Sequence, residues 1–144
     1  VKALFDTSVI IAALLPKHPS HTPCFGKLQA AKLSQIQGYL STHSLAEIYS
    51  VMTRIPSQPR ISPQEAQLLI ESCLRSLEVI SLEATDYQIA IAQMVALSLP
   101  GGAIFDALIA QAAVKVSADR LFTLNPGHFT RLDDEVAQIT EVPV

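Results

Sequence analysis

Lys2-Ala3-Leu4-Phe5-Asp6-Thr7-Ser8-Val9-Ile10 is a short, mostly apolar run closed by an acid, then two hydroxyl residues, then a second apolar run. The first run reads as a buried strand, because a strand covered on both faces is continuously hydrophobic rather than alternating. Thr7 or Ser8 can cap a helix from Val9 to Leu15, which Pro16 stops. Strand, acid, cap and helix in so short a span is how an α/β unit begins.

The same beat recurs along the chain. Lys17 to Pro23 carries histidines and prolines and reads as a loop, and a helix is expected from Cys24 to Gln35. Gly38 to Ser41 is a second strand, and Thr42 or Ser44 can cap a helix running to about Ile55, before Pro56 to Pro59 breaks the chain. Ser62-Pro63-Gln64-Glu65 sets a cap, a proline in the first turn and an acid near the positive end of the helix dipole. Glu78 to Leu82 reads as a third strand and Asp86 to Leu99 as an apolar helix. The turn Pro100-Gly101-Gly102 leads into another apolar helix, Ala103 to Val116. Arg120 to Leu124 is a fourth strand, Asn125-Pro126-Gly127 a turn, and Val136 to Ile139 a fifth strand at the sheet edge. Short apolar strands alternating with helices require right-handed crossovers and a parallel sheet covered on both faces. With no internal repeat or low-complexity linker, residues 1–144 are expected to form a single α/β domain.

Composition narrows the function classes. Hydrophobic residues make up 49% of the 144 and charged residues 16%, which excludes a disordered chain. The longest apolar stretch, Ile89 to Leu99, is interrupted by Gln93 and Ser98 and falls short of the roughly 18 residues a spanning helix needs. No export signal is read at the N-terminus, and Cys24 and Cys73 lack metal-like spacing, so reduced, partly buried thiols and a cytoplasmic location are expected. The mean hydropathy of +0.34 is high for a free-standing monomer and points to apolar surface hidden in a partner interface. A net charge of −3 argues against a nucleic-acid partner. Acids converging on metal ions reverse the local field and escape that argument.

In an open parallel sheet, chemistry gathers beyond the carboxyl ends of the strands. Asp6 ends the first strand there, Asn125 follows the fourth, Glu47 lies one turn into the helix after the second, and Asp106 lies in the first turns of the helix entered through Gly101-Gly102. Asp6 alone can be a helix cap, and Glu47 alone an exposed capping-box acid. Asp106 resists a structural role: Ala103-Ile104-Phe105 precede it, Ala107-Leu108-Ile109-Ala110 follow, and no lysine or arginine lies within a helical turn. A nearly buried carboxylate needs a compensating cation, because leaving the charge unpaired costs several kcal/mol. Oxygen-only ligands select Mg²⁺ or Mn²⁺ over zinc, and such ions activate water and neutralise charge on a phosphoryl group.

Four segments carry a family resemblance. They are Leu4-Phe5-Asp6-Thr7-Ser8-Val9-Ile10, Thr42-His43-Ser44-Leu45-Ala46-Glu47-Ile48-Tyr49, Gly101-Gly102-Ala103-Ile104-Phe105-Asp106-Ala107-Leu108-Ile109-Ala110, and Leu121-Phe122-Thr123-Leu124-Asn125-Pro126-Gly127-His128-Phe129. In this order the chain resembles the PIN domain, and most closely the VapC-like toxins of bacterial toxin–antitoxin pairs. The resemblance implies a three-layer α/β/α sandwich around a mostly parallel sheet of about five strands. It implies cleavage of RNA with Mg²⁺ or Mn²⁺, with Asp6, Glu47 and Asp106 at the family's acidic positions. Asp6 and Asp106 are expected as direct ligands, and Glu47 either ligates or orients the attacking water. The family often has an acid just after the last core strand; here Asn125 and His128 occupy that turn. The lost charge implies one metal ion, with a second arriving only with substrate phosphate.

Ser8 and Thr123 are candidates to bond a metal water or phosphate, with capping and strand-end packing as the alternatives. Arg54, two turns after Glu47 on the same face, is a candidate phosphate contact, with a solvated or partner-binding arginine as the alternative. His43 and Glu47 stand at i, i+4 without the third histidine a zinc site needs, and His18 and His21 are expected to be solvated in their loop. A phosphatase with a nucleophilic aspartate wants an acid two residues on, where Ser8 stands. A degenerate domain that binds RNA or a partner without cutting is the non-enzymatic alternative. A homodimer and a small antitoxin protein are the expected partners, with the helices from His43 to Leu77 as the candidate contact.

Overall fold

The computed structural model describes all residues, 1–144. A five-stranded, all-parallel sheet runs in the order β3-β2-β1-β4-β5. The strands are β1 (Lys2–Phe5), β2 (Gln37–Ser41), β3 (Glu78–Ile80), β4 (Arg120–Phe122) and β5 (Thr140–Glu141). From β1 the chain steps outward to β2 and β3, then returns across β1 to place β4 and β5 on its other side. The order therefore reverses between β1 and β4, where the first helices after them diverge to opposite faces and open a crevice.

The helices are α1 (Thr7–Leu14), α2 (His21–Lys32), α3 (Thr42–Arg54), α4 (Pro63–Leu74), α5 (Ala84–Leu97), α6 (Ala103–Lys115), α7 (Pro126–Thr130) and α8 (Asp134–Ile139). Two cores sandwich the sheet. Successive residues of β1 point to opposite faces, so Ala3 and Phe5 join one core with Val9, Ile10, Leu28, Ile48, Met52 and Cys73 from α1 to α4. Leu4 joins the other with Met94, Ala107, Leu108, Phe129 and Val136 from α5 to α8. This is the expected α/β/α sandwich.

Several boundaries differ from expectation. Asp6 itself is the junction residue between β1 and α1, and its side chain makes no capping bond. Ser41, not Thr42 or Ser44, caps α3, by accepting from the Ser44 amide. The loop before α2 ends at Ser20, so His21 to Pro23 are already helical. Val136 to Ile139 is helix, not strand: Asp133 caps it through the Val136 amide, Asp134 and Glu135 fill its first turn, and the edge strand is Thr140–Glu141. Ser62 caps α4 as the sequence predicts, and Glu65, expected there for its charge, also bonds back to the Ser62 amide to complete a reciprocal capping box.

Two glycines are required by geometry. Gly101 has φ +64 in the turn before α6, a region only glycine enters without steric cost. Gly38 on β2 lies against Leu77 and Ala31, where a methyl group would collide with both side chains. Both cysteines are buried and unpaired, and burial pushes the Cys73 thiol up to about 12.

Candidate active site

Asp6 leaves the carboxyl end of β1 almost fully buried, at 5% exposure. Its backbone amide donates to Phe122 of β4, which fixes it against the neighbouring strand. Both side-chain bonds to its Oδ2 come from hydroxyls, Ser8 at 2.7 Å and Thr123 at 2.8 Å. Ser8 in turn accepts from the Leu124 amide, so the ends of β1 and β4 are laced together around one carboxylate oxygen. Burial raises the Asp6 pKa, and the hydroxyls and the amides of Thr7 and Ser8 oppose the rise. Thr123 is fully buried and its hydroxyl is spent on Asp6 and on the Asn125 amide. It thereby helps orient the Asp6 carboxylate.

Glu47 projects from α3. The Thr7 hydroxyl donates to it at 2.8 Å and lies 2.9 Å from Ser44 Oγ, which is within reach of Ser41. Each hydroxyl has one proton, so with Thr7 donating to the carboxylate, Ser44 donates to Thr7. His43 Nε2 lies 3.5 Å from Glu47 and has no hydrogen-bond partner, while its ring stacks on Phe105 with centroids 5.0 Å apart.

Asp106 stands in the first turn of α6. No lysine or arginine lies within a turn of it on its own helix, as read from the sequence, but the carboxylate is 21% exposed rather than nearly buried, and in three dimensions His128 Nδ1 is 3.6 Å and Arg131 Nη2 3.8 Å from its Oδ2. Their attraction does not outweigh burial and the nearby charges of Asp6 and Glu47, which together push the Asp106 pKa up to about 6. The three acids thus feel one another across a common space. An open cleft of about 560 Å³ is lined by Asp6, Thr7, Ser8, His18, Ser20, Glu47, Asp106 and Asn125, among others, and by no lysine or arginine.

The side chains do not stand pre-clustered: no three histidine, cysteine, aspartate or glutamate side chains are set at ligand distance from one another. Each carboxylate is instead held by its own donors. The residues fit a hard divalent cation by chemistry, since oxygen donors predominate in the cleft wall and Asp106 is partly desolvated beside the charges of Asp6 and Glu47.

Arg54 lies off the cleft, bonded back to Ser50 of its own helix. Asn125 is exposed at the mouth. Neither loop histidine is merely solvated. His18 lines the cleft and accepts from the Ser20 amide, while His21 bonds the Ala12 carbonyl and stacks on Phe25. The sequence reading missed Thr7, Ser44 and Arg131. Thr7 follows Asp6 directly and was legible as a second polar group at the strand end; Arg131 carried no local signal.

A parallel α/β sandwich with acids from three distant segments at its switch point defines a class of fold and site, and comparison with known proteins names it. Residues 3–135 match the PIN domain, and the chain belongs to that family. Ribonuclease VapC27 of Mycobacterium tuberculosis is 32% identical over 114 residues, covering 79% of this chain and 78% of the relative. Ribonuclease VapC40 of the same organism is 30% identical over 119 residues, covering 82% of each chain. Among solved structures, VapBC2 from Rickettsia felis, bound to a DNA fragment from its promoter, superposes with a TM-score of 0.72 at 22% identity, over 99% of this chain and 98% of that one. Mycobacterium tuberculosis VapC20, described as a Sarcin-Ricin loop cleaving toxin, has a TM-score of 0.66 at 18% identity, over 83% and 86%. These likenesses at low identity establish the fold.

Proposed function

We propose that this protein is a metal-dependent endoribonuclease, the toxin of a toxin–antitoxin pair. The observation that carries the reading is the meeting of Asp6, Glu47 and Asp106 in one cleft at the sheet's switch point, without a lysine or arginine in its wall. The names of the curated relatives, both ribonucleases, support RNA as substrate.

Asp6 and Asp106 would hold Mg²⁺ or Mn²⁺, with Glu47 ligating or orienting the attacking water. When bound, such an ion lowers the pKa of water and neutralises charge on the phosphoryl oxygens. The chain's own residues supply the rest. Ser8 and Thr123 fix the orientation of the Asp6 carboxylate, and Thr7 holds Glu47 beside it in the cleft. Asn125 replaces an acid with a neutral amide, which keeps the charge of the site consistent with one tightly held ion. Calorimetry of the RNA-free protein should show a single tight Mn²⁺ site, and two tight sites would refute this.

Incubation with single-stranded RNA and Mg²⁺ or Mn²⁺, beside Asp106→Asn, tests the activity. Cleavage that needs metal and disappears in the variant supports the nuclease; cleavage that persists in the variant marks a contaminant. The alternative, an RNA- or partner-binding module without catalysis, is favoured by Asn125 alone, and binding without any cleavage would select it.

A homodimer and a small antitoxin complete the reading. Exposed apolar side chains are most numerous on α5, where Tyr87, Ile89, Ile91, Val95 and Leu97 face solvent, and fewer on α3 and α4, where Tyr49 and Leu68 do. We therefore assign the self-contact to α5 and keep the α3–α4 groove lined by Tyr49, Pro63 and Ile70 for the antitoxin. A monomeric elution volume at micromolar concentration would remove the dimer.

A further inference from the structure

We infer that Arg131 is a substrate-phosphate contact that is parked on Asp106 until a metal ion claims that carboxylate; the inference rests on the nuclease reading above. Arg131 follows α7, the short helix after the turn where Asn125 stands in place of an acid. Its Nη2 lies 3.8 Å from Asp106 Oδ2, too far for a hydrogen bond, and its side chain is 42% exposed. The guanidinium donates no hydrogen bond to any protein acceptor, so its five N–H groups are free at the rim of the site. An exposed pair of this length is weakly held and easily exchanged. With a divalent cation held by Asp106, Arg131 would lose the attraction that keeps it there and be repelled.

A guanidinium released beside the metal site, with its donors unspent, matches the planar oxygen pair of a phosphodiester. Arg131 thus supplies the positive charge that the acidic chain otherwise lacks at this place. His128, 3.6 Å from the same carboxylate oxygen, is the second cationic-capable side chain at this rim. Arg54, the arginine that spacing nominates, is turned away onto Ser50.

The arginine's two roles pull the measurable affinities in opposite directions. Removing it frees Asp106 of a competing cation, so Arg131→Gln should bind Mn²⁺ several-fold more tightly than the parent by calorimetry without RNA. RNA binding is read in chelator, on Asp106→Asn and on Asp106→Asn with Arg131→Gln, neither of which can cut. Loss of the arginine should weaken binding of a single-stranded RNA oligonucleotide about tenfold and reduce the slope of log affinity against log salt by about 0.7, the value for one phosphate contact on a single strand. Arg131→Lys should recover part of both, since a lysine keeps the charge and loses the fork. Unchanged RNA affinity and salt slope, or weaker Mn²⁺ binding, overturns the assignment. If wild-type cleavage is intact in that case, only the arginine's role falls. A protein that binds RNA through Arg131 but never cleaves sinks the nuclease reading and leaves the contact standing.

Discussion

Asp106 is a carboxylate held against its own preference, and replacing it should strengthen the fold. In an unfolded chain an aspartate titrates near about 3.9. In the structure the same group is pushed up to about 6 by burial and by the charges of Asp6 and Glu47, net of the help from His128 and Arg131. Between these values the folded protein keeps a proton that the unfolded chain has released. Stability therefore falls as pH rises through this window and levels off above it. The difference of about two units corresponds to roughly 3 kcal/mol. The amide introduced by Asp106→Asn has nearly the same shape as the carboxylate and no charge to desolvate. Urea unfolding in chelator at pH 7.5 should then find Asp106→Asn more stable than the parent by about 2–3 kcal/mol, or roughly 5–10 °C in Tm. The gain should fade below pH 4, where the parent's carboxyl is itself neutral. Adding Mn²⁺ should narrow or reverse the order if Asp106 is a ligand as proposed, because only the parent then gains the full binding free energy. An Asp106→Asn protein no more stable than the parent at pH 7.5 would refute the argument. A gain just as large at pH 4 would show that charge is not its source.

Other substitutions probe the supports around the site. Thr123→Val keeps the shape but removes a donor to Asp6 and leaves the Asn125 amide unpaired; we expect a loss of about 1–3 kcal/mol in urea unfolding together with weaker Mn²⁺ binding, and tighter binding would contradict the role given to Thr123. Lys115→Met strips the cation from Asp86, whose pKa is held down chiefly by the hydrogen bond from Lys115; the cost should be about 2–3 kcal/mol at neutral pH and should shrink as Asp86 protonates in acid. Gly38→Ala forces a methyl group against Leu77 and Ala31 and should destabilise by about 1–3 kcal/mol with metal binding unchanged, since β2 carries no ligand at that residue.

Much of the fold could be read because hydrophobic period and chain punctuation agree along most of its length. Ser62-Pro63-Gln64-Glu65 announces α4 with a cap and a proline, and the structure forms the whole capping box. Val136 to Ile139 defeated the reading because a short apolar run carries no period of its own. The decisive signal stood just before it, in the cap Asp133 and the acids Asp134 and Glu135. The acids at the site were legible because Asp106 had no local partner. Asp86 shows why such reasoning is incomplete: it is more deeply buried than Asp106, yet Lys115 reaches it from another helix and makes a structural pair. What a carboxylate meets across the fold is set by packing between distant segments, and that packing also brought Arg131 to Asp106 and His18 to the cleft unannounced.

The bond from Thr123 to Asp6 spans 117 positions of sequence. Until β4 slots in beside β1, Asp6 lacks the Thr123 hydroxyl and the cleft lacks the wall that Leu124 and Asn125 supply. A growing copy still lacking β4 would in this way have neither the Thr123 hydroxyl on Asp6 nor the Asn125 end of the cleft in place.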